Sequence, residues 1–349
     1  MDRRDFLKTS IISTLFATSP LLGATRKNRF HFIMPPKPFE YFIKKGKEKG
    51  GKVLIIGGIH GNENGSYKAS DILIDTEIKK GVLAILPRSN PESIFTNMRG
   101  YNGDMNRKFS YISKNDEDLY KINSIKEFIA DFKPDVILSL HDGYGFYARN
   151  HRNWGESIVI DETNYKNLEL LKTASFVSNH LKKHNYNIPI NNTHTFAKKT
   201  HHKEQRKSLT YYALTEHNTP AFCIEASKQT DLKRKVEIHL LAIEAFLKLY
   251  NVEITPSFNY LFSNLEKLLE EKNPKIIVNI NNEKKIITKD TTLKIPTNTE
   301  IIFETSNRSD GLIAKNVNVN YKSFFYRDNI IFEVKNDNLT KYHLKIIKG

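Results

Sequence analysis

Four short, almost wholly apolar runs, at residues 53–56, 82–86, 136–140 and 221–224, restrict this chain more than any other feature of its sequence. A strand with one wet face alternates apolar and polar residues; runs that do not alternate belong to strands covered on both faces. Between or after them lie helical periodicities at 66–72, 118–130, 165–181 and 231–249, the last three long. Asp231 is a suitable N-cap for the final one. Strand runs interleaved with helices from residue 30 to about 252 make an α/β unit, whose sites gather at the carboxyl ends of strands.

Beyond Pro256 the texture changes. A helix is expected over 258–271, stopped by Asn273-Pro274. Short alternating runs follow at 276–280, 292–295, 300–303, 314–319, 330–334 and 343–347, the spacing of a small β-sandwich or barrel. A length of 349 residues suits about two domains. The division expected is 1–24 an export signal, 25–255 a catalytic domain and 256–349 an accessory all-β domain. The accessory segment holds a single histidine, His343, so a second metal centre is not expected there.

The first residues read as an address. Arg3 and Arg4 precede Asp5-Phe6-Leu7-Lys8 and an apolar stretch from 11 to 24 diluted with Ser and Thr. That stretch is shorter than the roughly 20 residues a membrane span needs, so a cleaved signal is expected, with a periplasmic, membrane-free mature protein. The paired arginines fit the twin-arginine route, and a general secretory signal is the alternative. The net charge of +15 fits either compositional bias or an acidic partner. No RNP motif, paired-cysteine finger or P-loop accompanies it, so no nucleic-acid partner is expected. The single cysteine, Cys223, excludes an intrachain disulfide and lies in an apolar run, where a buried inert thiol is expected.

Chemistry begins at Gly57-Gly58-Ile59-His60-Gly61-Asn62-Glu63, directly after an apolar run. A histidine and a carboxylate three residues apart on a strand-exit loop can converge on one cation. His141 follows the run 136–140 and projects from another strand end, with Asp142 beside it as outer support. His60, Glu63 and His141 together supply two imidazoles and a carboxylate, an open zinc site with room for water. Between them lies Asp104-Met105-Asn106-Arg107-Lys108-Phe109, where Arg107 offers a planar fork to a carboxylate and Asn106 a neutral donor. Arg99, just upstream, can stabilise an oxyanion.

Five separated pieces carry a family resemblance: G-G-I-H-G-N-E at 57–63, Asn90-Pro91, Arg99 with D-M-N-R-K-F at 104–109, L-H-D-G at 140–143, and F-C-I-E-A-S-K at 222–228. In that order, over roughly residues 50–250, the chain resembles the zinc carboxypeptidase superfamily. The resemblance implies a mixed central sheet flanked by helices and zinc ligands His60, Glu63 and His141. It also implies oxyanion support from Arg99, recognition of a terminal carboxylate by Asn106 and Arg107, and a general-base role for Glu225.

Within the superfamily, R-G-Y-N-G-D-M-N-R-K-F at 99–109, H-D-G-Y-G-F-Y at 141–147, W-G-E-S-I-V-I-D at 154–161 and R-K-S-L-T-Y-Y-A-L at 206–214 resemble the periplasmic peptidoglycan carboxypeptidases that set helical cell shape. Those enzymes cleave D-glutamate from meso-diaminopimelate, trimming a stem tripeptide to a dipeptide. That group often has glutamine where this chain has His60, and usually more C-terminal sequence. A muropeptide carries several carboxylates, which Arg99, Arg107 and Lys228 complement. Trp154, Tyr144, Tyr211 and Tyr212 either line its pocket or are ordinary packing aromatics, while His201 and His202 read as loop residues. The rival readings are an N-acyl amino acid deacylase of the succinylglutamate desuccinylase and aspartoacylase type, which export disfavours, and a non-catalytic peptidoglycan binder, which has no need of Glu225.

Overall fold

The computed structural model describes residues 28–349, so the address with Arg3 and Arg4 lies outside the described residues. The four apolar runs form the centre of a mixed eight-stranded sheet. Its order is Phe42–Lys45, Glu77–Leu86, Glu48–Ile56, Val136–Gly143, Ala221–Ser227, Ser157–Ile160 and Ile190–Asn192, with Glu253–Thr255 paired to Glu77–Leu86. The inner four strands are mutually parallel. Phe42–Lys45 and Ser157–Ile160 run antiparallel to their inner neighbours.

Strand side chains alternate between faces, and each face of this sheet meets different helices. Val53, Ile55, Leu83, Ile85, Leu138 and Ile224 pack with helices Asn64–Ile74, Leu170–Lys183 and Leu232–Leu249. Leu54, Ile56, Leu86, Ile137 and Ala221 pack with helices Leu119–Phe132 and Leu209–His217 on the other side. Each fully buried Leu or Ile contributes roughly 1.5–3 kcal/mol, so both faces hold the strands rigidly. Asp231 caps Leu232–Leu249 by accepting from Arg234 N–H at 2.8 Å.

Two helices depart from their periodicity. The 165–181 pattern becomes helix only at Leu170, because Tyr165 and Leu168 bridge each other around Lys166, whose φ is 50°. The helix expected over 258–271 is two pieces, Phe258–Ser263 and Leu265–Leu268. They part at Asn264, whose side-chain amide donates back to the Tyr260 carbonyl and competes with the helix backbone.

The remaining strands form a sandwich. One sheet has the order Glu283–Ile287, Ile276–Ile280, Glu300–Thr305, Phe30–Ile33, Ser323–Tyr326, and the other Thr291–Ile295, Leu339–Lys348, Ile330–Asn336, Asp310–Ala314. Phe30, Phe32, Phe303, Phe332, Val334 and Leu344 fill the space between them. The run expected at 314–319 departs: the strand ends at Ala314, and Asn316 turns the chain with a φ of 62°. Phe30–Ile33, assigned above with the catalytic residues, instead inserts between Glu300–Thr305 and Ser323–Tyr326. Its phenylalanines pack with Phe303 and Phe332 of the later strands. Among the described residues, no helix is long and apolar enough to cross a membrane.

Candidate metal centre

The site grows from the face of the sheet that meets Leu209–His217. In the parallel pairing of Val136–Gly143 with Ala221–Ser227, Ile137 lies opposite Ala221, Ser139 opposite Cys223 and His141 opposite Glu225. Alternation puts these six side chains on one face. The stripe is apolar at its lower end and becomes polar toward the carboxyl ends of the strands. Ser139 Oγ stands 2.9 Å from His141 Nε2, and Cys223 donates its thiol to Glu225 Oε1 at 3.3 Å.

The other two candidate ligands come from the turn after Glu48–Ile56. Gly58 has a φ of +68°, and a Cβ on Gly61 would lie 1.9 Å from Ser93 C, so only glycine lets the turn fold this tightly. The turn delivers His60 and then Glu63, which sits at the N-terminus of Asn64–Ile74. Asp142 points to the opposite face from His141. There its carboxylate accepts from Gly65 N–H at 2.8 Å and pairs with buried His239 Nε2 at 3.0 Å. Its own N–H donates to Glu63 Oε2 at 3.2 Å. The outer support expected of Asp142 therefore reaches Glu63 rather than an imidazole.

His60 Nδ1, His141 Nδ1 and Glu63 Oε2 form a triangle with edges of 3.1, 2.9 and 3.0 Å. Ligands about 2.0–2.1 Å from a tetrahedral zinc lie roughly 3.3 Å apart, so the triangle has the size, as well as the donor chemistry, of a zinc site. The outer ring nitrogens are held elsewhere, His60 Nε2 by Asp104 Oδ1 at 2.8 Å and His141 Nε2 by Ser139. In the neutral tautomers that donate outward to Asp104 and Ser139, both imidazoles turn lone pairs inward. Two nitrogen lone pairs and a carboxylate oxygen at 3 Å, all buried, are a pocket for a cation.

The electrostatics follow from this crowding. Burial alone raises the Glu63 carboxyl, but His60 and His141 outweigh it and hold the group well below the carboxylate range. Burial lowers His60, yet Glu63 and Asp104 overcome it and raise the imidazole. His141 stays lowered by burial, which Glu63 only partly offsets. Glu225 is pushed up to about 8 by burial and the charge of Glu63, and its Oε2 is buried without a hydrogen-bond partner.

Arg99 donates Nε to Asp104 at 3.0 Å and Nη1 to Glu63 Oε1 at 3.1 Å, with its side chain 46% exposed. Lys228 Nζ lies 3.1 Å from Asn62 Oδ1 and 3.4 Å from Glu63 Oε1. Asn106 spends its carbonyl oxygen on Leu209 N–H, which leaves the NH₂ end of its amide for another partner. Arg107 Nη1 donates to the backbone carbonyl of Asn106. Trp154 packs its indole against His202, at ring centroids 5.5 Å apart. Tyr211 stacks on Phe196 and Tyr212 lies beside Phe109, while Tyr144 is exposed. Asp104 and Ser139 were given no role by the sequence reading. Ser139 was legible in principle, two residues before His141 on a strand; the reach of Asp104 across 44 residues was not.

Residues 39–270 match a family described as the catalytic region of carboxypeptidases controlling helical cell shape. No match was found among curated protein sequences. The fold is similar to crystal structures of the cell shape determinant Csd4 from Helicobacter pylori. A histidine-for-glutamine variant superposes with a TM-score of 0.71 at 27% identity, covering 88% of this chain and 77% of that one. The apo protein gives 0.70 at 26%, covering 89% and 76%. The mDAP-bound form, described as a D,L-carboxypeptidase, gives 0.68 at 26%, covering 88% and 76%.

Proposed function

Since the chain belongs to the family of carboxypeptidases controlling helical cell shape, we propose that it is a zinc enzyme that trims peptidoglycan stem peptides. The bond cleaved joins D-glutamate to meso-diaminopimelate and converts tripeptide to dipeptide. The observation that carries this reading is the buried His60–Glu63–His141 triangle with Glu225 in register beside His141. The mDAP bound to the Helicobacter relative supports the choice of substrate.

His60, Glu63 and His141 would hold the zinc, which when bound supplies Lewis acidity to the scissile carbonyl and to water. Glu225 moves the proton. In register beside His141 and with one buried oxygen free of any hydrogen-bond partner, its carboxylate would take a proton from the attacking water and return it to the leaving amine. Arg107 and the free amide end of Asn106 would grip the terminal carboxylate. Arg99, tethered to Glu63 and Asp104, would meet the developing oxyanion. Lys228 and Trp154 would border the substrate. The substrate lies in the periplasm, where the Arg3-Arg4 address would send the protein by the twin-arginine route.

The test is to incubate zinc-loaded protein with muropeptide tripeptides and read the products by mass. Loss of diaminopimelate is expected, with far slower loss when its free α-carboxylate is amidated. Intact tripeptide beside rapid hydrolysis of N-acetylaspartate would overturn the reading.

A further inference from the structure

A second group of metal donors lies on the other face of the sheet. His180 is in the last turn of Leu170–Lys183, and His184 immediately follows that helix. Their spacing of four residues brings the imidazoles to one side, with centroids 4.9 Å apart. Glu244 reaches them from Leu232–Leu249, and its Oε2 lies 3.2 Å from His180 Nε2. One donor atom from each of the three residues lies within 4.8 Å of the others.

The two helices run antiparallel, since Tyr186 meets Glu237 where His180 meets Glu244. Both pack on the sheet face opposite the His141–Glu225 stripe, so the sheet separates this group from the first triangle. His180 and Glu244 are 12% and 13% exposed and His184 is open, which leaves a wet side for water ligands. The carbonyl end of a helix favours a cation. One group opposes it: Lys248 Nζ lies 2.8 Å from Glu244 Oε1 and competes for the same carboxylate.

We propose that His180, His184 and Glu244 form a second divalent transition-metal site that ties the end of helix Leu170–Lys183 to helix Leu232–Leu249. Two imidazoles and one carboxylate suit zinc, nickel or copper rather than magnesium or calcium. With Lys248 in competition and one side open to water, the site exchanges its ion more readily than the buried triangle does.

The experiment titrates metal-free, untagged full chain with Zn²⁺ by calorimetry. The wild type is expected to take a weaker equivalent after the tight one, and His184→Ala to take one equivalent fewer with its tripeptide hydrolysis unchanged. His180→Ala should behave alike. Lys248→Ala, which frees Glu244, should bind the weaker equivalent more tightly. Equal stoichiometry in the wild type and His184→Ala would overturn the proposal. Unchanged affinity in Lys248→Ala would remove Glu244 from the site. The comparison reads a difference between variants, so its result stands apart from whether the muropeptide reading succeeds.

Discussion

At the scale of single residues, the proposed function gives proton and metal chemistry to different side chains. Glu225→Gln keeps the shape of the side chain and its contact with Cys223 but cannot accept a proton. Turnover should fall about 10²–10⁴-fold, with zinc content and melting temperature near wild type. Normal turnover in a folded, zinc-loaded variant would end the assignment of Glu225 as base. Asp104 makes a different prediction. It accepts from His60 Nε2, from Asn106 N–H and from Arg99 Nε, and although burial raises its carboxyl, His60 and Arg99 hold it far below the usual range. Asp104→Asn keeps an acceptor and loses the charge, so zinc affinity measured by chelator competition should drop roughly 10–100-fold. An unchanged affinity would leave Asp104 as a loop fastener only.

At the scale of elements, the segment carrying Arg99 and Asp104 is anchored in the core by Met105 and Phe109 and fastened further from two sides. Lys108 Nζ bonds the Asn102 carbonyl as well as Asp116 and Asp118. From the sandwich, Asn320 exchanges amide bonds with Asn102 at 2.8 and 3.4 Å, and Val319 N–H reaches the Tyr101 hydroxyl. The sandwich therefore touches the segment that holds His60 in place. A neutral hydrogen bond is worth about 1 kcal/mol net, so Asn320→Ala should lower kcat/KM roughly five-fold while leaving melting temperature nearly unmoved. Full activity would show that the Lys108 side suffices. Long periodic helices and fully apolar strands were legible as elements. Glu283–Ile287 was not, because four of its five residues are exposed and it carries no alternation. Ser323–Tyr326, at the edge of its sheet, was also missed.

At the scale of the whole molecule, a buried charge network joins the α/β unit to the sandwich. Arg88 Nη1 lies 2.5 Å from Asp337 Oδ1 and its Nη2 2.6 Å from Asp71, while Lys68 Nζ lies 2.6 Å from Asp337 Oδ2. Burial raises Asp337, but Arg88 and Lys68 outweigh it and hold the carboxyl below its ordinary value. The sign follows. A group with a depressed folded pKa stabilises fully above its unfolded value near 4, and that contribution is lost as pH falls through the lower folded value. Asp337→Asn should cost about 3 kcal/mol at pH 7, because Asp71 still partners Arg88, and should flatten the decline of melting temperature below pH 4. A parallel decline in both proteins would place the acid sensitivity elsewhere.

The sequence by itself determined the α/β class, the all-β tail and the candidate ligands, because burial on both faces and strand-exit loops leave local signatures in residue order. Tertiary structure alone decided what those residues do to one another. The register that sets Glu225 beside His141 depends on how two distant strands pair. The alternation of faces sends Asp142 away from His141 and toward His239. Phe30–Ile33 joins Glu300–Thr305 and Ser323–Tyr326, far along the chain, because its phenylalanines fit the gap between two sheets, a match of shape across the chain that no local pattern encodes.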